Sequence, residues 1–159
     1  MEVAQEEEIR RIQLELEKTL SQIKREIPIY LFTKPGVNDV FSDAARQGIR
    51  FFRQLTDRVK LREFDLGHAT AAELGVQSSP TIVFDPDNYN IQWLGAPMGE
   101  EAKIFLEALL RIGTQKAGLN EQSAAVLAKI DAPRNIKVFV SPSCPYCPQQ
   151  ALNALKAAV

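Results

Sequence analysis

Ile136-Lys137-Val138-Phe139-Val140-Ser141-Pro142-Ser143-Cys144-Pro145-Tyr146-Cys147-Pro148 is the stretch on which the reading of this chain turns. Ile136 to Val140 predict a strand, Ser141-Pro142-Ser143 a turn, and the alanine- and leucine-rich run from Cys144 to Ala158 a helix. That order delivers two cysteines, three positions apart, to a helix start. Cys144 falls at the expected N-cap, where unpaired backbone N–H groups and the positive end of the helix dipole favour a thiolate, lowering its pKa from about 8.5 toward roughly 3.5 to 7.5. Cys147, nearly one turn later, shares its face, lies within disulfide reach and is expected to be the better shielded thiol. The pattern points to thiol–disulfide exchange, with Cys144 attacking and Cys147 resolving. Pro145 suits the first helical position, and Tyr146 is expected to wall a substrate surface. Pro148, as the fourth helical residue, is expected to forfeit a hydrogen bond and to loosen or kink the first turn.

Metal chemistry is the competing use of such a pair. Tetrahedral zinc needs four ligands, and the chain offers two cysteines and one distant histidine, His68, so no metal site is expected. Iron–sulfur carriage remains a further alternative. Two cysteines this close cannot cross-link distant segments, which excludes a disulfide scaffold of the secreted kind.

Working upstream, Ile9, Ile12, Leu16, Leu20 and Ile23 recur at three- and four-residue steps between Gln5 and Arg25, the pattern of a packing helix with Glu6 to Glu8 at its solvated end. Ile27-Pro28-Ile29-Tyr30-Leu31-Phe32 predicts a strand, Thr33-Lys34-Pro35-Gly36 a turn, and Val40 to Leu55 a helix. Lys60 to Leu66 predicts a strand and Thr70 to Leu74 a short helix. Thr81 to Phe84 and Ile91 to Leu94 predict a hairpin around Asp85-Pro86-Asp87-Asn88. A helix from Gly99 to Ile112 should cover the sheet with Ile104, Phe105, Leu109 and Ile112 and stop at Gly113. Asn120 should cap another helix, carrying Val126, Leu127 and Ile130, which ends before Asp131-Ala132-Pro133. His68 reads as a surface loop residue, Trp93 as packed on the sheet, and Lys34 as a turn residue whose other use would be to meet an anion or a partner peptide.

The order from residue 27 is therefore β-α-β-α-β-β-α, parallel first and antiparallel last, a complete α/β unit. Near residue 136 the pattern begins again. Ile29 to Pro35 and Val138 to Pro142 occupy equivalent places, an internal repeat with a weak echo in sequence.

Across the whole chain, 159 residues with 45% hydrophobic side chains, 25% charged ones and a net charge of -1 describe an ordinary globular composition with no basic footprint for nucleic acid. No apolar run reaches the roughly 18 to 20 residues of a membrane span, and the acidic N-terminus is unlike a secretory signal. These features lead to the expectation of a cytoplasmic protein with neither nucleic acid nor membrane as partner.

Ser143-Cys144-Pro145-Tyr146-Cys147-Pro148 resembles the redox motif of glutaredoxin-like protein disulfide oxidoreductases. Leu94-Gly95-Ala96-Pro97-Met98-Gly99-Glu100, the helix to Gly113, the linker helix and the CxxC are similar in order and spacing to the tandem-thioredoxin N-terminal domain of the alkyl hydroperoxide reductase flavoprotein subunit. The resemblance implies a thioredoxin-like α/β fold with residues 1–26 as an N-terminal helix, 27–113 as a complete unit without CxxC, 114–135 as a linker helix, and 136–159 as the first strand and helix of a second unit carrying Cys-Pro-Tyr-Cys. By comparison with the first unit, about 60 residues of the second would be lacking. Thr33-Lys34-Pro35-Gly36 would stand where the first unit's cysteines would be. Val76 to Thr81 would hold a cis Ser79–Pro80 bond, with Pro80 as a structural residue. The function implied is thiol–disulfide oxidoreduction at Cys144 and Cys147, with a protein or small-molecule disulfide as substrate and no cofactor in this segment. The alternative is an electron-relay or docking arm serving a flavoprotein reductase. The 136–159 segment would be disordered, docked on the first unit or engaged in dimerisation.

Overall fold

The structure, a computed structural model, describes residues 2–141 and 143–159, with side chains from residue 5 onward. Pro142, assigned above to a turn, lies outside the described residues. The elements in chain order are α1 (Glu2–Leu20), β1 (Ile27–Thr33), α2 (Asp39–Leu55), β2 (Val59–Asp65), α3 (Ala69–Glu73), β3 (Thr81–Phe84), β4 (Ile91–Leu94), α4 (Glu101–Thr114), α5 (Glu121–Leu127) and α6 (Cys147–Ala158).

The central strand is β1, and its sequence explains why. A strand flanked by neighbours and covered on both faces reads as a continuous apolar run, which Ile27 to Phe32 supply. The sheet order is β2-β1-β3-β4, with β1 and β2 parallel and the other pairs antiparallel. Alternation along β1 divides the core. Ile27, Ile29 and Leu31 join Ile82 and Phe84 beneath Ala45, Ile49 and Phe52 of α2 and Phe105, Leu109 and Ile112 of α4. Phe32 and Val83 face the other way, toward Ala71 of α3 and Val76. Trp93, opposite Ile82 on β4, sets its ring edge-on to Phe105 at 6.0 Å.

Two local expectations are corrected by packing. Gly113 does not stop α4; the helix continues to Thr114, and Gln115 takes the left-handed cap at φ 56°. The glycine is needed for close approach instead, because a Cβ at 113 would stand 2.6 Å from Ile23 Cγ2 and 2.9 Å from Ile27 Cδ1. Of the α1 stripe, Leu20 and Ile23 are buried while Ile9 and Ile12 are exposed, so α1 packs only through its C-terminal end. Asp85 opens the expected hairpin turn, and its side chain is buried and ion-paired with Arg25, with the backbone at φ 43°.

The 136–140 strand of the expected second unit does not form. A strand exists through its ladder of hydrogen bonds to a neighbour, and these residues have no ladder partner among the described residues. Phe139 is 89% exposed there. The helix of that unit does form. It docks on α4, with Leu155 buried in the main core and Leu152 and Val159 packed at its edge. Docking is thus the realised outcome for α6. α5 is shorter than expected, leaving Ile130 beyond it, and is capped by Asn120 Oδ1, which accepts from Ser123 N–H at 2.8 Å.

Candidate functional site

Cys144 and Cys147 are joined by a disulfide, with Cα atoms 5.5 Å apart, at the entrance to α6. The helix begins later than expected. Tyr146 is the N-cap, Cys147 the first helical residue, and Cys144 sits in the preceding turn, its N–H donating to Ser141 O at 3.0 Å. The delayed start removes the anticipated kink: Pro148 is the second helical residue, where an N–H would have no intrahelical acceptor to lose. Pro145 correspondingly lies in the bend ahead of the helix.

The helix start still faces the Cys144 sulfur after the shift in boundary. Cys147 N–H points back at Cys144 Sγ across 3.2 Å, so the first free donor of α6 faces that sulfur. Both cysteines are half-buried, which leaves no clear difference in shielding between them. Cys147 Sγ lies 4.0 Å from the Phe139 carbonyl oxygen. Tyr146 projects into solvent, 79% exposed, and Pro145 is exposed beside it. From Ser141 to Gln150 the sequence holds no acidic or basic side chain, so within the motif itself only backbone dipoles act on the sulfurs.

Pro80 stands at a different place. The Ser79–Pro80 bond is cis. Its loop is stitched to the thiol-free turn after β1: Lys34 N–H donates to Ser79 Oγ at 2.8 Å, Ser79 Oγ donates to Val37 O at 3.3 Å, and Asn38 Nδ2 donates to Ser79 O at 2.9 Å. The turn is closed by Val37 N–H on Lys34 O at 3.0 Å, while both Asp39 carboxylate oxygens receive Gly36 N–H. Asn38, at the N-cap position of α2, has its side chain diverted to Ser79 and caps nothing. Only its short polar chain and tolerance of a left-handed backbone, here φ 55°, hint at that use.

His68 caps α3 through Nδ1, which accepts from Thr70 N–H at 3.2 Å, and its ring lies 5.0 Å from that of Phe64. No group of three or more potential metal-ligating side chains gathers among the described residues, and none of their helices is long and apolar enough to cross a membrane.

No family model and no curated protein sequence matches the chain. Solved structures do. A protein disulfide oxidoreductase from Aeropyrum pernix superimposes with a TM-score of 0.78 at 23% identity over 92% of this chain. The alkylhydroperoxide reductase AhpF from Enterococcus faecalis does so with a TM-score of 0.80 at 20% identity over 93%. This chain spans 66% of the former and 72% of the latter. At such identities the likeness speaks to architecture, and with the sheet order above it establishes that the chain has a thioredoxin-like fold.

Proposed function

We propose that the chain is the redox-active part of a thiol–disulfide oxidoreductase whose working pair is Cys144 and Cys147. The observation that carries this reading is the Cys144–Cys147 disulfide at a helix start, with a free helical N–H aimed at Cys144 Sγ. In the reduced pair, the Cys144 thiolate attacks one sulfur of a substrate disulfide. A mixed disulfide forms and the other substrate sulfur leaves as a thiolate. Cys147, deprotonated, then attacks Cys144 Sγ, forms the intramolecular bond and expels the second substrate sulfur. Two electrons pass to the substrate, and the protons given up by the pair are taken up by the released thiolates.

Tyr146 and Pro145 form the exposed surface that a substrate meets first. The substrate is a protein or small-molecule disulfide. Two cysteines in one local motif, with no others in the chain, support a reducing compartment such as the cytoplasm. Alkylation with mass detection across glutathione and dithiothreitol buffers tests the reading. A reversible two-electron transition between Cys144 and Cys147 is expected, and a pair inert over that range removes it.

A second reading is favoured by the match to the alkylhydroperoxide reductase AhpF over 93% of this chain. Here the pair relays electrons from a flavoprotein reductase to another disulfide. It requires that such a reductase reduce Cys144–Cys147 faster than free dithiothreitol at equal concentration; equal or slower reduction by the reductase excludes it.

A further inference from the structure

The sheet has two edges, and only one is guarded against pairing. On β2, Lys60, Arg62, Glu63 and Asp65 are charged, the ordinary protection of an open edge. β4, at the other edge, carries no charge, and from Asn88 to Ala96 the sequence holds neither a charged residue nor a proline. Its outer backbone groups have no ladder partner among the described residues. Ile91 and Trp93 are only half-buried against the core, and Leu94 is exposed.

The same chain holds a strand-like segment without a ladder. Ile136 to Val140 sets β-branched residues at alternate positions, yet its backbone makes no backbone hydrogen bond among the described residues. Lined up antiparallel, segment and edge are complementary. Side chains alternate across a strand, so Ile136, Val138 and Val140 share one face and Phe139 falls on the other. With Val138 opposite Trp93, Val140 stands opposite Ile91, and Phe139 stands opposite Gln92 and diagonal to Leu94. The first face then continues the apolar layer that Ile91 and Trp93 share with α4. The second brings together Phe139, 89% exposed, and Leu94, 63% exposed. Lys137, opposite Leu94, keeps its ammonium at the rim.

We propose that β4 is a pairing edge for a second copy of this chain, which lays its Ile136–Val140 segment antiparallel along Ile91–Leu94. The exchange is reciprocal about a two-fold axis, so that each dimer holds two such ladders. A second copy is the occupant because it carries what the edge lacks, an apolar strand with no ladder of its own, while α6 stays docked on α4. The charged β2 edge leaves β4 as the place for that strand. This interface stands whether or not the redox reading does.

The test uses the full chain with Cys144 and Cys147 kept oxidised. Sedimentation equilibrium up to about 1 mM protein should show a monomer–dimer equilibrium, and hydrogen exchange at residues 92–94 and 136–140 should slow together as concentration rises. Phe139→Lys and Leu94→Lys should each weaken the dimer by about 10-fold or more. Both side chains are exposed, so neither change disturbs the fold. Phe139→Lys combined with Leu94→Glu should recover much of the loss, because the diagonal pair then carries opposite charges. A monomer throughout, protection of 136–140 that does not depend on concentration, or a dimer indifferent to both lysine substitutions would overturn the proposal.

Discussion

Arg25 Nη1 lies 2.5 Å from Asp85 Oδ2, joining the connector ahead of β1 to the turn between β3 and β4. The Asp85 side chain is 1% exposed, its Oδ1 accepts from Asn88 Nδ2, and its backbone N–H donates to Pro28 O. Removing the guanidinium strands a buried carboxylate with one neutral donor. Arg25→Met is therefore expected to cost about 3 kcal/mol in urea unfolding, and adding Asp85→Asn should recover much of that loss. A single-variant loss under about 0.5 kcal/mol would show the pair to be no more than a surface contact.

Gly113→Ala should be destabilising despite alanine's higher helix propensity. The new methyl meets Ile23 and Ile27 side chains at under 3.0 Å, and both are fully or nearly fully buried. Overpacking of this kind costs about 1 to 3 kcal/mol, which should lower the melting temperature by several degrees. An unchanged melting temperature would mean that α1 moves away freely.

Glu101 gives the fold a pH dependence of predictable sign. Burial in the first turn of α4 raises its pKa above the ordinary value of 4.5. A carboxyl that holds its proton more tightly when folded adds stability at pH below its unfolded pKa and loses that contribution as pH rises through the folded value. Glu101→Gln should thus raise stability at pH 7 relative to the parent while changing little at pH 4. Equal effects at both pH values, read by urea midpoints, would contradict the desolvation account.

Leu155→Ala should release α6 from α4, since this side chain is the one on α6 that is fully in the core. A loss of about 2 kcal/mol is expected, with hydrogen exchange rising across residues 147–158 and staying slow across 81–112. Uniform loss of protection would show instead that α6 and the sheet unfold as a single unit.

The sequence revealed most where local pattern and final environment agree. Ile27 to Phe32 reads as an apolar strand and is one, and the pairs Thr81 to Phe84 and Ile91 to Leu94 form the hairpin their spacing implies. The pairing of Cys144 and Cys147 at a helix start was legible because it depends only on local sequence and tolerates a shift of three residues in the boundary. What stayed hidden depends on contacts across long separations. Gly113 looks like a helix stop until Ile23 and Ile27 are seen beside it. Asp85 reads as a turn residue and is one, but its ion pair with Arg25, 60 positions earlier, is invisible locally. Asn38 draws no notice until its amide is seen on Ser79 O, 41 positions away. Ile136 to Val140 has every local property of a strand, yet strand formation is decided by a neighbour, which no local property supplies.

The central claim, that Cys144 attacks and Cys147 resolves, is tested most directly by trapping. Each single Cys→Ser variant, reduced and then mixed with a disulfide-bonded protein substrate, is separated on non-reducing gels. Cys147→Ser should accumulate a mixed disulfide through Cys144, because nothing remains to expel the substrate, while Cys144→Ser should trap little. Accumulation with Cys144→Ser and not with Cys147→Ser would reverse the assignment, and accumulation with neither would contradict the account.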